Sequence, residues 1–367
     1  MLITKVKLKN FRCFQDQVFD FNSKIVLIEG ENGSGKTSIL EALYFICYLR
    51  SFRSCLSRDL INFEKDHFFI SVEFEDMEFN SSNQLQVGFK GGKKVVKLNQ
   101  QNVNSYKDII ESYKIISITE DDLQFVKGYP EVRRLFIDQA LIFESSDFVS
   151  SLKIFKQILE KRNLFLQNFR FSKLSDNMDL FKIWTKQLWE ISKVILDARI
   201  NYLELLEKEV NSLLTKYFGE SFFVEFEYKQ KFELKNDFDS FWDLFIQIKL
   251  DEEMRFIRTC FGTHLDDFLI AFKGHGVKVF ASRGQQKLVT FLIKVAQSLM
   301  LASKEQKVVF LLDDFLTDLD RNILDKCFMM LNNLNFQVFL TCPLKSFANL
   351  TAILKENQSF KVQVINV

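Results

Sequence analysis

The chain has 367 residues, 47% hydrophobic and 26% charged, enough material for one large or two modest soluble domains. Its 49 basic residues face 48 acidic ones for a net charge of +1, which excludes a global field drawing it to nucleic acid or anionic membrane and leaves such binding to a local patch. Six cysteines without a C-x-x-C pair or a zinc-like spacing predict free thiols in a reducing cytoplasm, and no apolar run approaches the roughly 18 residues of a membrane span.

Met1 to Asn10 alternates apolar with basic side chains as an amphipathic strand does, without the continuous apolar core of a signal peptide. Lys24-Ile-Val-Leu-Ile-Glu29 predicts a buried strand. The next stretch, Gly30-Glu-Asn-Gly-Ser-Gly-Lys-Thr37, fits the phosphate-binding loop pattern G-x-x-x-x-G-K-[ST], and Ser38 to Cys47 has the apolar spacing of the helix that pattern requires. Gly30, Gly33 and Gly35 let the backbone curl so that its N–H groups and the helix N-terminus face phosphate oxygens. Lys36 would neutralise the terminal phosphates and the Thr37 hydroxyl would bind Mg²⁺. The expected nucleotide site is therefore Gly30, Glu31, Asn32, Gly33, Ser34, Gly35, Lys36, Thr37 and Ser38.

Up to about Asp138 the chain reads as strand-rich, with turns at Asn80-Ser-Ser-Asn83 and Lys90-Gly-Gly-Lys93. From about Phe148 to Tyr217 two long helices are expected. One carries the stripe Phe148, Leu152, Phe155, Leu159, Leu166 and Phe169; the other carries Trp184, Leu188, Ile191, Ile195, Ala198, Tyr202 and Leu205, with a turn at Ser175-Asp-Asn177 between them. The pair predicts an antiparallel helical hairpin, and its periodicity suits a coiled-coil seam and core helices of a globular domain equally. From Phe256 onward, α/β alternation returns. Val308 to Leu312 and Phe336 to Thr341 are continuous apolar runs of the kind found in parallel sheets, and the helix Gln286 to Ser303 precedes the first. The fold class is α/β with a helical insertion.

Val308-Val-Phe-Leu-Leu-Asp-Asp314 ends a buried strand in two carboxylates. Asp313 is the candidate Mg²⁺ ligand and Asp314 the candidate general base for an attacking water. About 25 residues earlier, Ala281-Ser-Arg-Gly-Gln-Gln-Lys287 heads a helix, and its S-x-G-Q pattern resembles the signature of ABC-type ATPases. In that class the serine hydroxyl, glycine N–H and helix N-terminus bind the γ-phosphate of ATP held by another subunit. The resemblance implies Ser282, Gly284 and Gln285 acting in trans within a homodimer that forms on ATP. Thr317-Asp-Leu-Asp320 resembles the D-loop of the class, which would put Asp320 near the dimer seam. Thr37 and Ser282 are 245 residues apart, a gap that holds the hairpin and points to the branch whose head carries a helical arm. Transporter subunits place a histidine after the last core strand, where this chain has Thr341. The expected division is an N-terminal part of an ATPase head at 1–140, a helical arm at 141–254 and a C-terminal part of the head at 255–367.

Within that branch the chain resembles the RecF family of bacterial recombinational repair proteins over essentially its whole length. Leu8-Lys-Asn-Phe-Arg12, Gly30 to Ala42, Arg50-Ser-Phe-Arg53, Asp121 to Asp138, Leu159-Glu-Lys-Arg-Asn163, Gly262-Thr-His-Leu-Asp-Asp267 and Ser282 to Lys287 carry the match. Thr263 and Leu265 stand where the family has proline and arginine, and Thr119 where it has a proline. The resemblance implies a weak, DNA-coupled ATPase of recombinational repair and replication restart, acting at single-strand gaps and duplex junctions and helping to load RecA with RecO and RecR. ATP and Mg²⁺ are the implied cofactors. Arg12 reads either as an adenine or phosphate contact or as an exposed strand-end arginine. Arg50, Arg53, Lys127, Arg133 and Arg134 would supply the local basic patch for DNA phosphates. Two other readings stand beside this one: an ATP-gated structural clamp with negligible turnover, and a transporter ATPase subunit.

Overall fold

The computed structural model describes residues 2–54, 56–76, 81–103, 105, 109–110, 113–169, 178–316, 319–343 and 361–367. Its chain order runs β1 (Leu2–Phe11), β2 (Phe14–Asp20), β3 (Ile25–Gly30), α1 (Lys36–Tyr48), β4 (His67–Asp76), β5 (Ser81–Lys90), β6 (Lys93–Leu98), β7 (Gln101–Asn102), β8 (Tyr113–Ile118) and α2 (Leu123–Lys127). Then follow α3 (Pro130–Glu144), α4 (Ser146–Phe169), α5 (Met178–Phe218), β9 (Val224–Lys229), α6 (Phe238–Ile248), α7 (Leu250–Phe256), β10 (Asp267–Phe272), β11 (His275–Gly276) and α8 (Val277–Phe280). The chain closes with α9 (Arg283–Ala302), β12 (Lys307–Leu312), α10 (Arg321–Asn333), β13 (Gln337–Pro343) and β14 (Val362–Asn366).

Two compact units result: residues 1–123, 216–219 and 282–367 form the first, and 124–215 with 220–281 the second. The middle unit thus starts before and ends after the expected 141–254. The reason is visible in α3, which begins before that range, and β10, which lies after it, joined by an Arg133–Asp267 ion pair inside the second unit.

In the first unit an antiparallel sheet of order β2-β1-β4-β5-β6-β7 accompanies a parallel sheet of order β14-β3-β13-β12-β8. The residues of β3 and the apolar run of β12 are buried, which is why they read as unbroken apolar segments. Helix α1 touches strands of both sheets and buries nearly every residue, so it lacks a polar face. The β5–β6 turn has Gly91 and Gly92 at φ +57° and +79°, the positive pair a two-residue hairpin demands. The other expected turn, at Asn80–Asn83, differs: Ser81 to Asn83 already pair with β4, and Asn80 lies outside the described residues.

The second unit packs α4 and α5 antiparallel. Arg162 Nε donates to Thr185 Oγ1 at 3.2 Å, and Phe165 stacks on Phe181. The connecting turn expected at Ser175–Asn177 lies outside the described residues. On α5 the buried positions include Leu188, Ser192, Ile195, Arg199, Leu203, Leu206 and Val210, whereas Leu205 of the expected seam is 52% exposed. This is the broader stripe of a core helix. Arg199 is tolerated there because it is bonded to Asp138 at 2.9 and 3.0 Å, whereas the Ser192 hydroxyl has no hydrogen-bond partner among the described residues. The three-stranded sheet β11-β10-β9 belongs to the same unit. Its family-like Arg162–Asn163 pair is structural: Arg162 is fully buried against Glu253 at 2.6 Å between the rings of Phe181 and Phe261, and Asn163 accepts from the backbone N–H of Thr259.

Candidate nucleotide site

The parallel order β3-β13-β12 places the carboxyl ends of three strands side by side, and the chemistry gathers there. Gly33 and Gly35 of the loop after β3 adopt φ +86° and +113°. A Cβ on Gly35 would lie 2.5 Å from the Phe14 ring and 2.7 Å from the Cys13 sulfur, and one on Gly30 would lie 2.3 Å from the Val367 backbone oxygen. Both glycines are therefore fixed by close approach. The loop delivers its chain into the N-terminus of α1, where Lys36, 5% exposed, donates to the backbone oxygens of Gly30 and Glu31 at 3.0 Å each. Glu31, Asn32 and Ser34 complete the loop, and Ser38 is buried in the first turn of α1.

Thr37 Oγ1 donates to Asp313 Oδ1 at 2.8 Å, across 276 residues of sequence. Burial raises the Asp313 carboxyl above its usual range, while its bonds to Thr37 and Thr341 and the positive charge of Arg53 pull it back down. A hydroxyl and a carboxylate at this distance are two hard oxygen donors. That set suits Mg²⁺, which takes one or two protein ligands and fills its shell with water and substrate phosphate. Asp314 follows in a left-handed backbone conformation, φ +51°, uncommon for a residue with a side chain. Its N–H donates to Thr341 Oγ1 at 2.8 Å.

Arg12 is no exposed strand-end arginine. Its guanidinium forks onto Glu41, a fully buried carboxylate of α1, at 2.6 and 2.8 Å, and Ser51 donates to the same carboxylate. Ser282 caps α9 through a reciprocal pair: its Oγ accepts from the Gln285 N–H at 3.3 Å and its N–H donates to Gln285 Oε1 at 2.9 Å. Gly284 differs from Gly30 and Gly35, since a Cβ there would meet nothing within 4 Å among the described residues, and from Gly33 in lacking a positive φ. Lys287, fully buried, bonds to the Phe315 backbone oxygen and pairs with Glu120, which also lies 3.3 Å from Arg283. Asp320 is exposed at the N-cap of α10, and Thr317 and Asp318 of the expected D-loop lie outside the described residues.

The expected DNA-contacting cations separate into two kinds. Arg50, Arg53 and Lys127 are exposed. Arg133 is 4% exposed and commits its guanidinium to Asp267 at 2.7 Å twice and to Gly128 O at 3.1 Å; Arg134 donates to the Asp266 backbone oxygen. A buried guanidinium with its donors engaged has little to offer a phosphate, so Arg133 leaves the expected patch and Arg134 is largely withdrawn from it.

Sequence reasoning missed Glu41 and Glu120, and placed Thr341 without its role at the two acids. Thr341 carried a signal, a hydroxyl inside an apolar run; Glu41 and Glu120 find their partners only through the fold. The helix caps at Ser282 and Thr119 were also missed, although S-x-x-Q and T-x-x-D are cap patterns; the Thr119 side chain and N–H both close on Asp122. Thr263 is buried, its carbonyl accepting from Arg199 at 2.7 Å; nothing in the structure explains Leu265.

A family model described as an AAA domain matches residues 5–255. A DNA replication and repair protein RecF from Acholeplasma laidlawii is 31% identical over 346 residues, 94% of each chain. Another, from Clostridium acetobutylicum, is 29% identical over 350 residues, 93% of each chain. A solved structure described as the recombination mediator protein RecF with ATP in the RecFOR pathway superposes with a TM-score of 0.77 at 24% identity, over 93% of this chain and 92% of that one. The Smc head domain of Pyrococcus furiosus with an extended coiled coil gives 0.56 at 17% identity, over 95% and 91%. At these identities the solved structures speak for the fold, an ATPase head of the ABC and Smc type carrying inserted helices.

Proposed function

This chain belongs to the RecF family of DNA replication and repair proteins, and from that membership we propose that it is an ATP-dependent DNA-binding protein of recombinational repair and replication restart. It closes as a homodimer on ATP at single-strand gaps and duplex junctions, and a weak hydrolysis reopens it. RecO and RecR are its partners in exchanging single-strand-binding protein for RecA, in the cytoplasm.

The observation that carries the nucleotide chemistry is the Thr37–Asp313 bond, which joins the phosphate loop to the acid-bearing strand. Lys36 and the loop N–H groups, from Gly30 to Ser38, take the phosphates; Lys36 must exchange its two carbonyl partners for phosphate oxygens to do so. Thr37 and Asp313 hold Mg²⁺, which supplies positive charge at the phosphate oxygens when bound. Asp314 orients the attacking water and accepts its proton. Ser282, Gly284 and Gln285 serve the partner's nucleotide, and Asp320 lies by the seam. Gly284 supports this half-site, because no atom among the described residues crowds the place of its missing Cβ. Arg50, Arg53 and Lys127 are the exposed cations for DNA phosphates.

Asp314→Asn tests the reading. Hydrolysis should fall by about 100-fold or more, and the ATP-loaded dimer should persist on gapped duplex DNA. A variant that dissociates from DNA as fast as the parent would show that turnover does not control release.

A further inference from the structure

We propose that Thr341 is the positioning residue that sets the two acids of the site, an inference resting on the ATPase reading above. The residue lies inside the buried run of β13, one place before Cys342 closes it, between the strands that carry the phosphate loop and the acid pair. It is 4% exposed, where a valine would fill similar space and continue the apolar pattern. A hydroxyl placed there needs partners, and it has one on each acid. It donates to Asp313 Oδ1 at 3.0 Å and accepts from the Asp314 N–H at 2.8 Å.

One oxygen atom therefore acts twice. With Thr37, whose hydroxyl meets the same Oδ1 at 2.8 Å, it fixes the plane of the Asp313 carboxylate. By accepting from the Asp314 N–H it also holds the peptide that follows Asp313 in the turn where Asp314 has φ +51°. That conformation carries a steric cost for any residue with a Cβ and persists only where its surroundings enforce it. When the hydroxyl is removed, the Asp314 N–H loses its acceptor and the turn can relax to an ordinary φ. The Asp314 carboxylate then swings away from the place it must hold for the water. Thr341 touches neither water nor phosphate in this scheme; it acts through the acids.

The test compares the full chain with Thr341→Val, which keeps the branched shape, and Thr341→Ser, which keeps the hydroxyl. Hydrogen exchange of the peptide spanning residues 311–316 is followed without nucleotide, and steady-state ATP hydrolysis with Mg²⁺ and gapped DNA. In the valine variant one amide should exchange about 10-fold faster or more, and kcat should fall by about 100-fold with KM for ATP within about 3-fold of the parent. Serine should restore both. Unchanged exchange in the valine variant would overturn the proposal, and so would a serine variant as impaired as the valine one, which would assign the role to packing by the γ-methyl group. A parent chain that hydrolyses no ATP would defeat the ATPase reading alone, since the exchange comparison still decides whether Thr341 holds the turn.

Discussion

A glycine in an exposed first turn of a helix costs about 1 kcal/mol relative to alanine. Gly284 bears that cost with open space where its Cβ would sit. Gly284→Ala is therefore expected to leave thermal stability unchanged or raise it, by up to about 1 kcal/mol, while abolishing ATP-dependent dimerisation; calorimetry and sedimentation on the same sample check it. A second residue-scale expectation concerns His264, whose ring burial, together with the charges of Arg134, Arg162 and Arg199, drives from 6.5 to about 4. Between those values the unfolded chain binds a proton that the folded one does not, so this group's contribution to stability rises with pH across the window and is lost as pH falls through it. At about 1.4 kcal/mol per unit, the effect is on the order of 3 kcal/mol. Glu253 and Asp266, raised by burial, act with the opposite sign, so the comparison is of the parent with His264→Asn in chemical denaturation, where the parent's stability relative to the variant should fall as pH drops from 7 to 4.

At the scale of elements, Arg162 of α4 and Glu253 of α7 form an ion pair with both side chains fully buried, and Glu253 also accepts from the Cys260 N–H at 2.7 Å. Removing one partner strands the other charge. Arg162→Met should destabilise the protein by about 3 to 5 kcal/mol, and adding Glu253→Gln should recover part of the loss; urea melts of the single and double variants measure both. The phosphate loop and its helix were legible because one contiguous segment encodes them, with glycines, lysine and threonine at fixed offsets. The acid strand was legible for a similar reason. Thr341 joins them from a third strand, and its sequence neighbours Leu340 and Cys342 do not announce which acids it will meet. On α5 a heptad count selected Leu205, whereas the drift of a 3.6-residue helix brings Leu206 into the core instead. The charges at Arg133 and Arg134 read as a surface patch because sequence does not display Asp267 and the Asp266 carbonyl, 134 and 132 residues away.

For the whole molecule, a net charge of +1 gives no long-range pull toward DNA, so the proposed affinity rests on local contacts, which the proposed dimer would present twice. In the proposed dimer each nucleotide lies between the loop of one copy and the Ser282 to Gln285 segment of the other, which makes assembly and ATP occupancy one linked equilibrium. The most direct measurement is sedimentation velocity of the full chain without nucleotide, with ADP and with ATP–Mg²⁺, each with and without gapped duplex DNA, alongside Lys36→Met and Ser282→Arg. The account predicts a dimer with ATP alone that retains the DNA and is absent in both variants. A monomer under every condition, binding DNA equally with and without nucleotide, would contradict it.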